Sequence, residues 1–143
     1  MKSFMIFAFF IAALWDGITT VLGVATVIEA QGVTGYALAG VGGLVVFAFG
    51  IGTKTIFSEG GFIYIVLRIL WILSLLFDLY TSFLGNARYL IMQENIRESI
   101  GTRMGIDTIS NSLDGTQLIS VLVLTILVSS SPMVISFLYE DVA

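Results

Sequence analysis

The sequence predicts an all-α integral membrane protein, four transmembrane helices forming a single domain over residues 1–143. Three observations predict it. Hydrophobic residues make up 57% of the chain and charged residues only 11%, against about 25% charged in an ordinary soluble domain, so too little polar surface exists to cover a globule of this size. The apolar residues gather in four long segments, each long enough to cross a bilayer as a helix of about 20 residues. Inside those segments a polar phrase occurs twice. Asp16-Gly17-Ile18-Thr19-Thr20-Val21-Leu22-Gly23 and Asp78-Leu79-Tyr80-Thr81-Ser82-Phe83-Leu84-Gly85 both read D-x-x-T-[ST]-x-L-G.

The first helix is expected over about 3–29, between Lys2 and Glu29. A signal peptide is the competing reading, with Lys2 as its basic end and Phe4 to Leu14 as its apolar core. No small-x-small cleavage site follows, and the apolar run continues well beyond the usual length, so a spanning helix is the better reading. The second helix is expected over about 36–57, after a polar turn at Gln31 to Gly35. It is rich in glycine, and Ala39-x-x-x-Gly43 and Ala48-x-x-x-Gly52 are small-xxx-small pairs. Lipid supplies no hydrophobic drive between helices, so such pairs hold helices together by close backbone approach. Lys54 near its end can snorkel to the interface.

The third helix is expected over about 62–99, after the turn Ser58-Glu59-Gly60-Gly61. Arg68 and Arg88 leave 19 residues between them, close to one bilayer thickness, and the helical pattern runs on beyond the membrane. Gln93 to Gln117 is the one long polar stretch. Ile96, Ile100 and Met104 recur there at helical spacing and suggest an amphipathic face. A polar loop is expected over about 100–117; residues 93–117 read as a solvated connection, with a docking surface for a partner or for lipid headgroups as the alternative. The fourth helix is expected over about 118–139. Pro132 in its interior has no N–H, so the carbonyl of Val128 loses its helical partner. In a membrane that group must find another donor, and the hydroxyls of Ser129, Ser130 and Ser131 can supply one. A kink is expected. Four spans put both termini on the same side. Lys2, Lys54 and Arg68 lie toward one side, and Arg88, Arg97 and Arg103 toward the other, so positive charge favours neither orientation.

The second copy of the phrase begins 62 residues after the first, and Trp15 with Phe77 and Ala25 with Ala87 extend the match. The first and third helices run the same way across the membrane. This suggests a duplicated two-helix hairpin with a pseudo-two-fold axis along the membrane normal. Asp78 lies midway between Arg68 and Arg88, Asp16 lies at the centre of its own segment, and the serine–proline stretch is central in the fourth. Asp16, Thr19, Thr20 and Gly23 share one helical stripe, as do Asp78, Thr81, Ser82 and Gly85. Each stripe must face protein or water, because a central Asp costs roughly 2.5–3.5 kcal/mol to insert into lipid.

These residues define the candidate site: Asp16, Thr19, Thr20, Asp78, Thr81, Ser82, Ser129, Ser130 and Ser131. Burial and a neighbouring carboxylate both oppose charge, so at least one aspartate is expected to be protonated unless a bound cation compensates. Arg68, ten residues from Asp78, lies about 15 Å away along a helix axis and is too far to do so. Carboxylates and hydroxyls are hard oxygen ligands suited to a proton, a small hard cation or water. The same side chains can also serve as interhelical glue.

The chain has no histidine and no cysteine, which removes the commonest base, the commonest metal ligand and all thiolate chemistry. No phosphate loop or nucleophile elbow is present, so an enzyme is not expected, nor is a cofactor. A net charge of −4 without a basic stripe argues against nucleic acid. Two function classes remain. One is a proton- or cation-handling channel or transporter subunit. The other is a structural subunit of a membrane complex. Either is expected in the lipid bilayer, as a homo-oligomer or as part of a larger membrane complex.

Overall fold

A computed structural model describes residues 1–92 and 106–140. Among these residues the chain is all helical, and its elements run α1 (Lys2–Val27), α2 (Gly32–Ile51), α3 (Thr53–Ser58), α4 (Phe62–Met92), α5 (Ile106–Ser112), α6 (Gly115–Ser129) and α7 (Ser131–Glu140). Four stretches are long and apolar enough to cross a membrane: Ser3–Val27, Gly32–Ile51, Phe62–Ile91 and Gly115–Tyr139. The expected continuation of the third helix to about 99, the face of Ile96, Ile100 and Met104, and the first part of the polar loop lie outside the described residues.

The bundle is apolar outside and polar inside. Large side chains such as Phe7, Leu44, Leu76 and Leu127 are more than half exposed. Among the described residues the largest fully buried side chains are Thr19, Thr20, Thr81, Thr125, Ser82, Ser129 and Ser131, with only Leu84 and Ile109 beside them. That inversion suits a solvent of hydrocarbon, in which polar groups seek each other rather than the surface.

α1 is the centre of the packing, and its most extensive partner is α4. The two backbones meet where the repeated phrase ends. A Cβ on Gly23 would come within 1.7 Å of the Thr81 carbonyl oxygen, and one on Gly85 within 1.9 Å of the Thr19 carbonyl oxygen. Thr19-x-x-x-Gly23 and Thr81-x-x-x-Gly85 therefore act as a reciprocal small-xxx-small pair. α2 packs on α1 through Ala39, with Val24 and Ala25. Gly43 lies against Val21, and Gly50 against Pro132 of α7. The Ala39-x-x-x-Gly43 pair thus packs on α1, whereas Ala48 is exposed and the Ala48-x-x-x-Gly52 pair makes no such seam.

Two of the expected helices are divided. The second, expected over 36–57, begins at Gly32 and stops at Ile51; Gly52 separates it from α3. The Thr53 hydroxyl takes the Gly50 carbonyl at 2.7 Å, and the Lys54 N–H donates to Ser136 Oγ at 3.0 Å. Side chains have replaced backbone partners there, and the helical bonding is interrupted at Gly52. Arg68 then holds the end of α3, donating to the carbonyls of Ile56, Phe57 and Glu59. The fourth, expected over 118–139, is divided at Ser130 into α6 and α7. Ser131 Oγ donates to the Val128 carbonyl that Pro132 cannot serve. α6 starts three residues earlier than expected because Asp114 and Gln117 form a capping box there.

The polar loop expected over 100–117 is not loop throughout. Ile106–Ser112 forms α5, and Ile109 and Leu113 are buried against Leu84, Ala87 and Val121. An isoleucine and a leucine among polar residues were too sparse to mark a helix, but the end of α4 offers them an apolar face.

The α1–α4 contact makes a prediction about stability. Gly23→Ala or Gly85→Ala should destabilise the protein by about 1–3 kcal/mol, as overpacking does. Gly17→Ala, which meets nothing within 4 Å and lies inside α1, should not destabilise the protein. Thermal unfolding in detergent micelles compares the three.

Candidate functional site

Asp16 and Asp78 come from different helices and are 2% and 4% exposed. Each carboxyl receives hydroxyls from the other copy of the phrase. Ser82 Oγ donates to Asp16 Oδ1 at 3.0 Å, and Thr20 Oγ1 donates to Asp78 Oδ1 at 2.8 Å. The Thr20 and Ser82 oxygens themselves lie 2.8 Å apart. Ser129 Oγ, from α6, donates to Asp16 Oδ1 at 2.9 Å. Three spans thus meet at one group of five side chains: Asp16, Thr20, Asp78, Ser82 and Ser129.

The other four expected residues have different places. Thr19 donates to the Asp16 carbonyl at 3.1 Å, with Ser82 Oγ at 3.5 Å, and Thr81 donates to the Phe77 carbonyl at 2.9 Å. Each of these two threonines satisfies its hydroxyl on its own helix and lends its backbone to the opposite glycine. Ser130 turns back to the Leu127 carbonyl at 2.9 Å, and Ser131 to that of Val128. Those hydroxyls mend the broken helix.

The contacts fall in pairs related by the spacing of the repeat. Ser82 serves Asp16 as Thr20 serves Asp78, and Gly85 meets Thr19 as Gly23 meets Thr81. Thr20 meets its own counterpart, Ser82, and Thr26 meets Arg88, 62 residues on.

Beside the carboxyls lies a small cavity between α2, α4 and α7. Its lining includes Asp16, Asp78, Ser129 and Ser74, with Phe49, Trp71 and Pro132 among the apolar walls. Its volume is about 10 Å³. That approaches the room needed for one water, roughly 10–15 Å³. At the α3 end Trp71 Nε1 donates to Thr53 Oγ1 at 2.9 Å, and Trp71 stands edge-on to Phe57, over which Arg68 lies. Thr20 and Ser82 do not line the cavity and are 1% and 0% exposed. The hydroxyls of Thr20 and Ser82 are sealed from the cavity, and the carboxyl side borders it. Among the described residues no group of three or more His, Cys, Asp or Glu side chains forms a metal cluster.

A second polar layer was not read from the sequence. Trp15 Nε1 donates to Asn86 Oδ1 at 3.0 Å, and Asn86 Nδ2 donates to Thr125 Oγ1 at 3.2 Å. Arg88 Nη1 donates to Thr26 Oγ1 at 3.0 Å. Arg88 is buried inside the bundle, where the sequence placed it only at a segment boundary. Asn86 directly follows the second copy of the phrase, where the first copy is followed by Val24. That break in the repeat was the available signal.

No protein-family model, curated protein or solved structure matches the chain.

The two roles of the serines can be separated. Ser129→Ala removes a donor to a buried carboxyl and should cost about 0.6 kcal/mol and at most about 1.7 kcal/mol, the mean and the maximum found for interhelical hydrogen bonds in a membrane protein. Ser130→Ala, which loses only a bond within its own turn, should cost less. Equilibrium unfolding of both variants in mixed micelles checks the order.

Proposed function

We propose that the chain is a small channel or transporter subunit that handles a proton or a small cation at the Asp16–Asp78 pair. One observation carries the reading: carboxyls from two candidate spans share a hydroxyl network and also border one cavity inside the bundle. Hydrogen-bonding glue needs the network but has no use for the cavity. Carboxyls kept in lipid at a cost of kilocalories mark an ion or proton pathway more often than a mere contact.

The paired contacts support a duplicated two-helix hairpin, with α1 and α4 as equivalent members about a pseudo-two-fold axis along the membrane normal. On that reading both termini lie on one side, and the two aspartates are the two halves of one midplane site. A cavity of about 10 Å³ is not a pore. A complete pathway would therefore be built by several copies of the chain or with other subunits of a membrane complex, for which residues 93–117 are the proposed docking region.

A structural subunit is the second reading. The backbone contact of Thr19 with Gly85 and of Thr81 with Gly23 favours it, because glue of that kind needs close helices and little else.

Flux measurements in liposomes separate the two. The wild type should carry protons or a small cation, and Asp16→Asn and Asp78→Asn should abolish the flux while the variants still fold. A wild type without flux, or variants equal to it, would favour the structural subunit.

A further inference from the structure

We infer that Asp16, Ser82, Thr20 and Asp78 form a hydrogen-bonded wire that holds one proton and passes it between the two carboxyls. This rests on the proposed function and specifies its cargo as a proton. The four oxygens follow one another at 3.0, 2.8 and 2.8 Å, whereas the direct contact from Ser82 Oγ to Asp78 Oδ1 is longer, at 3.4 Å, beyond the usual O–H···O range. Three contacts of hydrogen-bond length require three hydrogens. Ser82 and Thr20 bring one each. No water is available to them, since both side chains are buried and neither borders the cavity. The third hydrogen must come from a carboxyl.

Two arrangements satisfy the wire, each keeping one of the two hydroxyl-to-carboxyl donations and reversing the other. In one, the Asp16 O–H donates to Ser82, Ser82 donates to Thr20, and Thr20 donates to the Asp78 carboxylate. In the other, every direction is reversed: Asp78 donates to Thr20, Thr20 to Ser82, and Ser82 to the Asp16 carboxylate. In passing from the first to the second, each hydroxyl oxygen gives up one hydrogen and gains another. Ser82 and Thr20 stay neutral, the proton moves from Asp16 to Asp78, and the negative charge moves the opposite way. Both carboxyl residues border the cavity, so a proton can be gained or lost there at either end of the wire.

The surroundings suit a proton better than a metal ion. A hard cation needs about six or more oxygen ligands for calcium, and near-octahedral oxygens for magnesium. Apart from the two aspartates, the cavity offers the hydroxyls of Ser74 and Ser129 among apolar walls, and α2 and α7 place no charged side chain in it. On the far side of the wire the α1 and α4 backbones are in contact at Gly23 and Gly85, which closes that direction.

Infrared spectra of the reconstituted protein test the wire through the carboxylic acid C=O band. In the wild type, Asp16→Asn and Asp78→Asn should each alter the band, because the proton is common to both. Thr20→Val should uncouple them, so that the band responds to only one of the two substitutions. Thr20→Ser, which keeps the hydroxyl, should restore the double response. Ser82→Ala gives an independent break should Thr20→Val fail to fold. Ser82→Ala also removes the direct 3.4 Å contact of Ser82 with Asp78, so a wild-type band that is absent, that responds to one Asn substitution alone, or that keeps its double response in Ser82→Ala overturns the wire. Flux separates this from the parent reading. Thr20→Val should lower proton flux by about tenfold, the equivalent of one lost hydrogen bond, and Thr20→Ser should not. Flux that vanishes in the Asn variants but is unchanged in Thr20→Val sinks the wire and leaves the proposed function standing. Absent flux with the spectral pattern intact leaves the wire and removes the transport reading.

Discussion

A carboxyl group in hydrocarbon must find donors, and the rest of this bundle follows from that requirement. Asp16 and Asp78 sit in long apolar helices where neither bulk water nor a lysine or arginine within their own turns can serve them. Their donors come instead from the neighbouring spans: Ser82 and Ser129 for Asp16, and Thr20 for Asp78. Hydroxyl side chains are short, so the helices that carry them must approach closely. Gly23 and Gly85 make that approach possible, and they do so at the end of the same phrase that supplies the acids and hydroxyls. The phrase is therefore one device with three parts: an acid, a donor for the other acid, and a notch for the other backbone.

The helix breaks serve the same requirement. Pro132 divides the fourth span, and Ser131 mends the freed Val128 carbonyl while Ser129 is left to reach Asp16. Gly50 lies against Pro132, which brings α2 and α7 together along the wall of the cavity. At the other division, Thr53 accepts the Trp71 indole N–H, and Arg68 gathers the last carbonyls of α3. The bundle end beside the cavity is held by side chains rather than by continuous helix, and such an end is easier to rearrange than a backbone ladder.

Much of this was legible in the sequence because hydrocarbon is a strict solvent. Composition and segment length suffice for four spans, and the i, i+3, i+4, i+7 stripe suffices to put Asp16, Thr20, Asp78 and Ser82 on faces that need protein partners. What the stripe does not encode is division of labour. Thr19 and Thr20 are adjacent hydroxyls on one face, yet one bonds its own helix and one bonds Asp78. That choice depends on which residue faces Gly85, a matter of helix crossing and not of spacing. The breaks at Gly52 and Ser130 depend on side chains from distant helices or on local competition for carbonyls. Arg88 looked like a membrane-edge residue because charge at a segment boundary usually is one. Its burial beside Thr26 depends on the same α1–α4 crossing.

The central claim is that the two copies of the phrase meet within one chain. The sequence contains no cysteine, so a pair can be introduced without interference. Thr20 and Ser82 face each other with their hydroxyl oxygens 2.8 Å apart, and a disulfide needs Cβ atoms about 3.5–4.5 Å apart. Mild oxidation of the Thr20→Cys, Ser82→Cys double variant in membranes should give a disulfide inside one chain, leaving a monomer on a non-reducing gel whose two thiols, even in denaturant, are alkylated only after reduction. Freely alkylated thiols, or a disulfide that links two chains, would contradict the account.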